Sequence, residues 1–408
     1  MNKGDKMNLK NINRREFFRH SALGLSAAGT IFSASGVAQD ESTIQKEPVI
    51  RTLGKTNLKL PVVSMGVMNA DNPHLVKKAI EVGVRHLDTA HNYQRGNNEK
   101  MIGRVLKETG LRKQIIVSTK MRFARDREKH VFLADGGTRE MGATAENLTR
   151  QLGISLERLQ TDYIDILYLH SCYSPKMVLY QPLMQALVRV KEAGMVRFVG
   201  VSTHQDEANV IRAAVDAGVY DVVLTAYNYF QDHKEDVRKA VHYAGSRNVG
   251  IIVMKTMGGN RMNNGSVEVN HRAALKWALQ DENICTAIPG LTTFDQLETD
   301  WAVAGDLILH DEELRDLHLS SLLPNTLFCQ NCRQCVSTCV QRIEIPVMMR
   351  AYMYLKGYDN PGQARETLAE LNVHEGPDSC HDCKSCTATC VRNIQIRKRI
   401  RTLQSILT

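Results

Sequence analysis

Four polar side chains of this 408-residue chain follow three short apolar runs, and their types suit proton transfer to a carbonyl oxygen. Asp88 ends one run and Tyr93 comes five residues later, while Lys120 and His170 end two later runs. A neighbouring ammonium favours the phenolate, so Lys120 is expected to lower the pKa of Tyr93, with Asp88 holding the lysine. Such a phenol can act as a general acid, and the imidazole can donate a second hydrogen bond to the same oxygen. We predict that these four residues are catalytic.

Side chains on separate strands meet only if the strands are parallel and their carboxyl ends share a face, as in the eight-fold β/α barrel. Eight apolar runs alternate with amphipathic stretches across residues 49–305, which predicts an α/β fold, a (β/α)8 TIM barrel. A hairpin formed by residues 50–53 and 58–60 is expected to close its bottom, and the long loop 122–142 to shape the substrate pocket. The predicted strands span residues 62–67, 85–88, 115–120, 164–170, 196–202, 222–226, 250–255 and 286–289.

Three sequence patterns resemble the aldo/keto reductases: D-T-A-x-x-Y at Asp88 to Tyr93, S-T-K ending at Lys120, and D-Y-I-D-I-L-Y-L-H ending at His170. Any one of these residues alone would more often be structural, and only the ordered set of four is specific. The resemblance covers about residues 49–305. It implies hydride exchange between a nicotinamide, NAD(P), and a small carbonyl or alcohol substrate.

The same resemblance implies contacts to the nicotinamide cofactor, but the match there is weaker. The Lys and Arg that hold the 2′-phosphate in the family align with Gly290 and Gln296, and Asp300 replaces an Asn. NAD, NADP and the absence of any nicotinamide therefore all stay open. The candidate cofactor-binding residues are Ser202, Thr203, Lys255, Gly290, Gln296 and Asp300.

Two identical C-x2-C-x2-C-x3-C runs follow the barrel region, and this spacing is typical of iron–sulfur proteins rather than of zinc ribbons. The runs resemble the bacterial ferredoxin with two [4Fe–4S] clusters, in which the fourth cysteine of each run reaches the other cluster. Val340 and Val391 stand where that family has Pro. The resemblance implies one cluster on Cys329, Cys332, Cys335 and Cys390, and another on Cys380, Cys383, Cys386 and Cys339.

Residues 329–408 are therefore predicted to be a small ferredoxin-like dicluster domain, joined to the barrel by a helical connector, residues 306–328. Its insert, residues 343–377, has helical patterns and is expected to lie beside the clusters. The basic tail, residues 392–408, is expected to cover that domain as a helix or to dock an acidic redox partner. Cys172 and Cys285 are expected at opposite ends of the barrel, too far apart for a disulfide.

Residues 1–38 read as a twin-arginine export signal: Arg14 and Arg15 precede Phe17 and Phe18, and a weakly apolar run follows at residues 21–34. A disordered basic tail is the alternative. The signal and a polar linker, residues 39–48, predict a periplasmic or extracytoplasmic protein with no transmembrane segment in its mature chain. The formal net charge of +8 is concentrated in residues 1–38 and 391–408, so nothing suggests nucleic acid binding.

These features predict an exported iron–sulfur oxidoreductase of the aldo/keto reductase type. Tyr93 would protonate the substrate oxygen, and the clusters would pass electrons to or from a redox partner at the cluster domain. One alternative is an enzyme driven by the clusters without nicotinamide. Another is a non-catalytic electron-transfer subunit, but such a subunit has no need for the four catalytic candidates.

Overall fold

The computed structural model describes residues 47–136, 140–258, 269–322, 328–372, 374–380, 383 and 385–406. The predicted export signal and most of the linker lie outside the described residues. Residues 45–408 form one compact unit, so the barrel and the cysteine-rich region are joined rather than separate bodies. Within the described ranges, no helix is both long enough and apolar enough to cross a membrane.

Eight parallel strands form the predicted barrel. Parallel bridges from Val63 to Ala287 and from Gly66 to Gly290 link the last strand to the first. The strand residues are almost all buried, as expected for parallel strands covered by helices. In order around the barrel the strands are β3 (Met65–Gly66), β4 (His86–Asp88), β5 (Ile116–Met121), β8 (Ile164–Leu169), β9 (Val196–Thr203), β10 (Val222–Ala226), β11 (Gly250–Met254) and β12 (Ile284–Ala287).

The predicted hairpin is present and closes the bottom of the barrel. It consists of the antiparallel strands β1 (Ile50–Thr52) and β2 (Lys59–Pro61). Gly54 at its turn has φ +47, and a Cβ there would lie 2.4 Å from the backbone nitrogen of Gly250, so this position needs glycine. Beside it, Leu53 is buried in the core cluster at the base of the barrel.

Amphipathic helices cover the outside of the barrel. Several begin at Asn, Ser or Thr caps, such as Thr144, whose hydroxyl accepts from the amide of Asn147. The loop after β5 contains a short antiparallel pair, β6 (Arg125–Asp126) and β7 (Val131–Phe132). The helices are α1 (Pro73–Val82), α2 (Asn97–Thr109), α3 (Ala145–Leu159), α4 (Pro175–Val178), α5 (Gln181–Glu192), α6 (Glu207–Asp216), α7 (Lys234–Ser246), α8 (His271–Ala278) and α9 (Phe294–Ala302).

The region after the barrel is helical, with a core of its own. Connector helix α10 (Asp311–Ser321) leads to α11 (Gln334–Thr338), and the insert forms α12 (Ile345–Gly357) and α13 (Pro361–Leu368). The tail forms α14 (Ile396–Gln404). Its apolar face is buried with residues of α12, as expected for a covering helix. Its basic Arg399 is buried as well, 4.9 Å from the ring centre of Tyr352, so the tail is not a purely exposed basic patch.

This helical region lies over the carboxyl ends of the barrel strands. The Asn360 amide donates to Asn69 Oδ1 at 2.7 Å, and the Asn331 amide donates to the carbonyl oxygen of His204 at 2.9 Å. Gln330 likewise donates to a barrel carbonyl, at 2.8 Å. The sequence predicted helices beside the cysteines, but it did not predict that they would cover the mouth of the barrel.

One carboxylate, Glu370, holds the two parts together. It pairs with Arg350 at 2.7 Å, with Arg127 at 3.2 Å and with Arg122, and all four side chains are mostly buried. These guanidinium groups hold the pKa of Glu370 far below its usual range despite its burial. Arg122 and Arg127 belong to the barrel loop, whereas Arg350 lies on α12. The cluster therefore fixes that helix on the loop.

We predict that Glu370→Gln destabilises the protein by roughly 3 kcal/mol, because three guanidinium groups lose their shared carboxylate. Since the folded pKa of Glu370 is depressed, its contribution is complete above the ordinary glutamate value of about 4.3 and declines as the pH falls below it. The stability difference between wild type and variant, measured by urea unfolding, should therefore shrink from pH 6 to pH 3.

Glu366→Gln is the matched control, because Glu366 lies on α13 and its one ion pair among the described residues is with the exposed Arg95, at 3.8 Å. Such an exposed pair is worth less than about 1 kcal/mol. Equal losses in the two variants would contradict the role assigned to Glu370.

Candidate active site

The four predicted catalytic residues meet at the carboxyl ends of neighbouring strands. Asp88 ends β4, Lys120 lies near the end of β5, His170 follows β8, and Tyr93 begins a short 3-10 helix, Tyr93–Gly96. All four line one cleft of about 1040 Å³, its open mouth included. This is the arrangement that the barrel prediction required.

Lys120 is the centre of the hydrogen-bond network. Its buried ammonium donates to the Asp88 carboxylate, to the carbonyl oxygen of Thr89 at 2.6 Å, and to the Tyr93 hydroxyl at 3.5 Å. Ser118 Oγ donates to the other carboxylate oxygen of Asp88, and His86 Nε2 lies 2.9 Å from that hydroxyl. Sequence reasoning missed Ser118 and His86, although their place on the same strands as Asp88 and Lys120 is a usable signal.

The expected lowering of the Tyr93 pKa by Lys120 is wrong for this structure. Burial raises the pKa of the phenol well above its ordinary value, and the nearby Asp88 carboxylate raises it further. Burial also lowers the pKa of Lys120, which Asp88 partly restores. The carboxylate offsets the ammonium, so desolvation decides the phenol's proton affinity. Tyr93 is therefore a protonated donor, not a phenolate.

His170 is neutral. Burial holds its pKa well below the ordinary histidine value, and Lys120 and Arg122 lower it further. Its ring centre lies 5.9 Å from that of Tyr93, and its Nδ1 is buried without a hydrogen-bond partner among the described residues. A neutral imidazole has one N–H donor, which is what the sequence-based role requires.

The loop that carries Tyr93 is tied to the barrel rim. Gln94 and Arg95 have left-handed backbone angles, φ 50 and φ 54. The Gln94 amide donates to the carbonyl oxygens of Met68 at 3.1 Å and Ala70 at 3.2 Å. These bonds hold the phenol over the ends of the strands.

Three of the six candidate cofactor residues line the cleft: Ser202, Lys255 and Gly290. The other three are engaged elsewhere. The Thr203 hydroxyl donates to the carbonyl oxygen of Gln205, Gln296 Oε1 accepts from Thr292, and Asp300 is buried within α9. Their side chains satisfy local structure, which residue identity alone does not reveal.

Lys255 stands apart from the other cations of the cleft. It has φ 57 just after β11, and no ion pair or hydrogen bond to its ammonium is found among the described residues. Its Nζ lies 5.9 Å from the ring centre of Tyr354. Burial lowers the pKa of Lys255 to about 7, and the nearby Arg350 contributes to the lowering.

The upper wall of the cleft comes from the helical region and was not predicted. Arg350 and Tyr354 lie on α12, and the ring of Tyr358 stacks on that of Tyr354 at 5.8 Å. These three residues recur every four positions and so share one helix face, a signal that sequence reasoning could have used. The wall also includes Gln363, Thr367 and Glu370.

The eight cysteines fall into two groups in space. Burial raises the pKa of Cys335 to about 12, and the thiols of Cys329, Cys390 and Cys332 raise it further. Burial also raises the pKa of Cys380, with contributions from Cys386, Cys383 and Cys339. The members of this second group line a cavity of about 350 Å³. Across the described ranges, no group of three or more His, Cys, Asp or Glu side chains is arranged to hold a metal ion.

Cys172 and Cys285 are free thiols, as predicted, and both are buried. Burial raises the pKa of each to about 12. Cys172 follows β8 at the top of the barrel, and Cys285 lies on β12 near its bottom. Neither lines the catalytic cleft, so both thiols serve packing.

The barrel, with its four polar residues at the strand ends, together with the family match reported next, identifies the protein as an oxidoreductase. The model of the aldo/keto reductase family matches residues 64–270, about half of the chain. The chain belongs to the aldo/keto reductase family.

This chain spans most of the length of two curated relatives. L-galactose dehydrogenase from Arabidopsis thaliana is 25% identical over 63% of this chain and 88% of its own. L-glyceraldehyde 3-phosphate reductase from Escherichia coli O157:H7 is 24% identical over 65% of this chain and 90% of its own. The solved holo form of aldo-keto reductase AKR11C1 from Bacillus halodurans has a TM-score of 0.55 and 22% identity, covering 67% of this chain and 96% of its own. That last likeness concerns the fold.

The altered pKa values give a testable pH dependence. The pKa of Tyr93 is raised and that of His170 is lowered, so neither group changes charge between about pH 6 and pH 9. Lys255, whose pKa is about 7, lines the same cleft, so the test uses Lys255→Met and an uncharged carbonyl substrate. We predict that the single-turnover rate of carbonyl reduction by this variant, measured by rapid mixing, is flat over this range. A rate falling with a midpoint inside the range would contradict the protonated phenol.

Proposed function

We propose that the protein interconverts a carbonyl and an alcohol, with Tyr93 as the proton donor. The observation that supports this most directly is the buried Asp88–Lys120 pair with the Tyr93 hydroxyl 3.5 Å from the ammonium. Tyr93 gives its proton to the substrate oxygen, and Lys120 stabilises the phenolate that results. The neutral His170 donates a hydrogen bond to the same oxygen and orients the carbonyl.

The residues of the cleft fit a nicotinamide only in part. Ser202 and Gly290 lie where such a group would be held, and it would supply the hydride that reduces the carbonyl carbon. Neither Gln296 nor Asp300 offers a positive charge for a 2′-phosphate, and neither lines the cleft. We therefore propose that the protein does not select NADP over NAD.

We also propose that the two cysteine groups each hold a [4Fe–4S] cluster. Each group contains the four thiols that the crossed ferredoxin pattern requires, and a four-iron cluster spaces its thiolates more widely than a single metal ion does. Such clusters supply electrons one at a time. Cys329, of the first group, contributes to the pKa of Lys255 in the cleft, which supports a place for this group near the active site.

Export by the twin-arginine route remains a proposal that fits this reading, because that route carries folded proteins with their cofactors in place. A tightly held cofactor would then have to be reduced or oxidised again without leaving the protein, and an external redox partner at the cluster domain would exchange those electrons.

The second candidate function is an enzyme that takes its electrons from the clusters and uses no nicotinamide. It is favoured by the three cofactor candidates that turn away from the cleft, Thr203, Gln296 and Asp300.

Tyr93→Phe tests the catalytic assignment. Without the donor hydroxyl, we predict a loss of roughly 10²–10⁴-fold in the rate of carbonyl reduction, with the fold and the iron content unchanged. Single-turnover kinetics with a panel of aldehydes and ketones provide the measurement. Tyr173→Phe is the control, because the Tyr173 hydroxyl is buried, has no hydrogen-bond partner among the described residues and does not line the cleft. Full activity in Tyr93→Phe would exclude the assignment.

The cluster proposal predicts about eight iron and eight sulfide per chain after anaerobic purification. Cys332→Ser should remove about half of the iron, and adding Cys390→Ser should remove no more, since both residues belong to one group. Cys332→Ser combined with Cys383→Ser should remove nearly all of it. Cys172→Ser is the control. Protein that contains zinc and no iron would refute the clusters.

The same variants test electron flow. With both clusters removed, we predict that a single turnover survives and that repeated turnover with an artificial electron carrier fails. Repeated turnover supported equally by added NADH or NADPH in both proteins would show that the clusters have a structural role.

A further inference from the structure

The cleft carries more positive than negative charge. Six ionisable side chains other than histidine and tyrosine line it among the described residues, four basic and two acidic. Lys255, whose pKa is about 7, carries its charge below neutral pH, and the surplus is positive even without it. The two histidines that also line it, His170 and His204, have pKa values well below ordinary and are neutral. A concave site with a surplus of one sign concentrates ligands of the opposite sign.

The pairing of these charges locates the surplus. Asp88 is committed to Lys120, and Glu370 is shared by Arg122, Arg127 and Arg350. Among the described residues, the only hydrogen bond of the Arg350 guanidinium is to Glu370. Lys255 has no ion pair there. The unmatched charge therefore lies at Arg350 and Lys255.

These two cations belong to opposite walls of the cleft and act on the same space. Lys255 follows barrel strand β11, and Arg350 lies on α12. Tyr354, one turn after Arg350, places its ring 5.9 Å from Lys255 Nζ. Arg350 is also the largest cause, after burial, of the lowered pKa of Lys255, so the two charges repel each other within the cleft that both line. An anion between them would relieve that repulsion.

We infer that Arg350 and Lys255 form an anion subsite that binds a carboxylate or phosphate on the substrate, while Tyr93 and His170 receive its carbonyl oxygen. The substrate class would then be a hydroxy or oxo acid, or a phosphorylated carbonyl compound. Guanidinium binds such groups through paired, charge-assisted hydrogen bonds. The assignment of this anion to the substrate rests on the proposed carbonyl chemistry.

Binding measurements without turnover test the subsite. The probes are two matched pairs, lactate with lactamide and gluconate with gluconamide, titrated into the full protein by calorimetry or ligand-observed NMR. Each pair differs only by the anionic group. We expect each acid to bind at least about tenfold more tightly than its amide, as charge-assisted bonds predict. Equal binding of acid and amide by the wild type would overturn the subsite.

Substitutions locate the subsite. Arg350→Gln and Lys255→Met should each reduce the acid-over-amide ratio about tenfold, and Arg350→Lys should retain part of it. Lys356→Gln removes one charge from the exposed side of the same helix and should leave the ratio unchanged. Glu370 keeps Arg122 and Arg127 in Arg350→Gln, and Lys255 has no pair to lose, so at least one variant should fold normally. An unchanged ratio in both variants would overturn the assignment.

Two further measurements identify the source of the anion. If the variants weaken NADH binding and leave the acid-over-amide ratio intact, the cations serve the cofactor phosphates and the inference is wrong. If they shift only the reduction potentials of the clusters, the cations balance the cluster charge and the inference is again wrong. Selective binding of acids together with no carbonyl reduction by any substrate would support the subsite while refuting the proposed function.

Discussion

The buried ammonium of Lys120 is the constraint on which the active site depends. Moving an ammonium group from water into the protein interior costs several kcal/mol of free energy. Hydrogen bonds from its N–H groups to buried acceptors must offset that cost. Asp88 and Thr89 accept two of its bonds at the end of β4, and Tyr93 lies within reach of a third. This arrangement requires β4 and β5 in one register, in which Asp88 pairs with Ser118. A slip by one residue would turn Lys120 toward the surrounding helices.

Sequence patterns predicted this part of the molecule because it depends on local signals. Apolar runs marked the strands, and polar residues at their ends marked the active face, so the barrel and the meeting of Asp88, Tyr93, Lys120 and His170 followed from position alone. The predicted strand boundaries were less accurate than the predicted strands themselves. The eighth strand is Ile284–Ala287 rather than residues 286–289, because its parallel pairing with β11 runs from Ile284 to Ala287.

The features that the sequence did not predict depend on contacts between residues far apart in the chain and on how deeply charged groups are buried. Arg350 and Glu370 are far from Arg122 along the chain, and no local pattern indicates that their helices cover the barrel. The pKa of Tyr93 was misjudged for a related reason. A sequence names the neighbouring Lys120, but only the structure shows that Asp88 offsets its charge and that burial dominates. The side chains of Thr203 and Gln296 bond within their own loops and do not line the cleft, which a match of residue types does not reveal.

The cleft has one wall in each part of the chain, so its shape depends on how the cysteine-rich region folds. The first cysteine group combines Cys329, Cys332 and Cys335, which precede α12, with Cys390, which follows α13. Joining these four thiols closes a loop that contains the whole upper wall of the cleft, and closing a loop restricts the residues within it. The ion cluster around Glu370 fixes the same loop to the barrel from the other side. In the proposed holoprotein, a cluster on these four thiols would restrict the same loop that the ion cluster around Glu370 already fixes to the barrel. The two restraints would act on one wall of the cleft, which offers a physical reason for the fusion of the two regions in one chain.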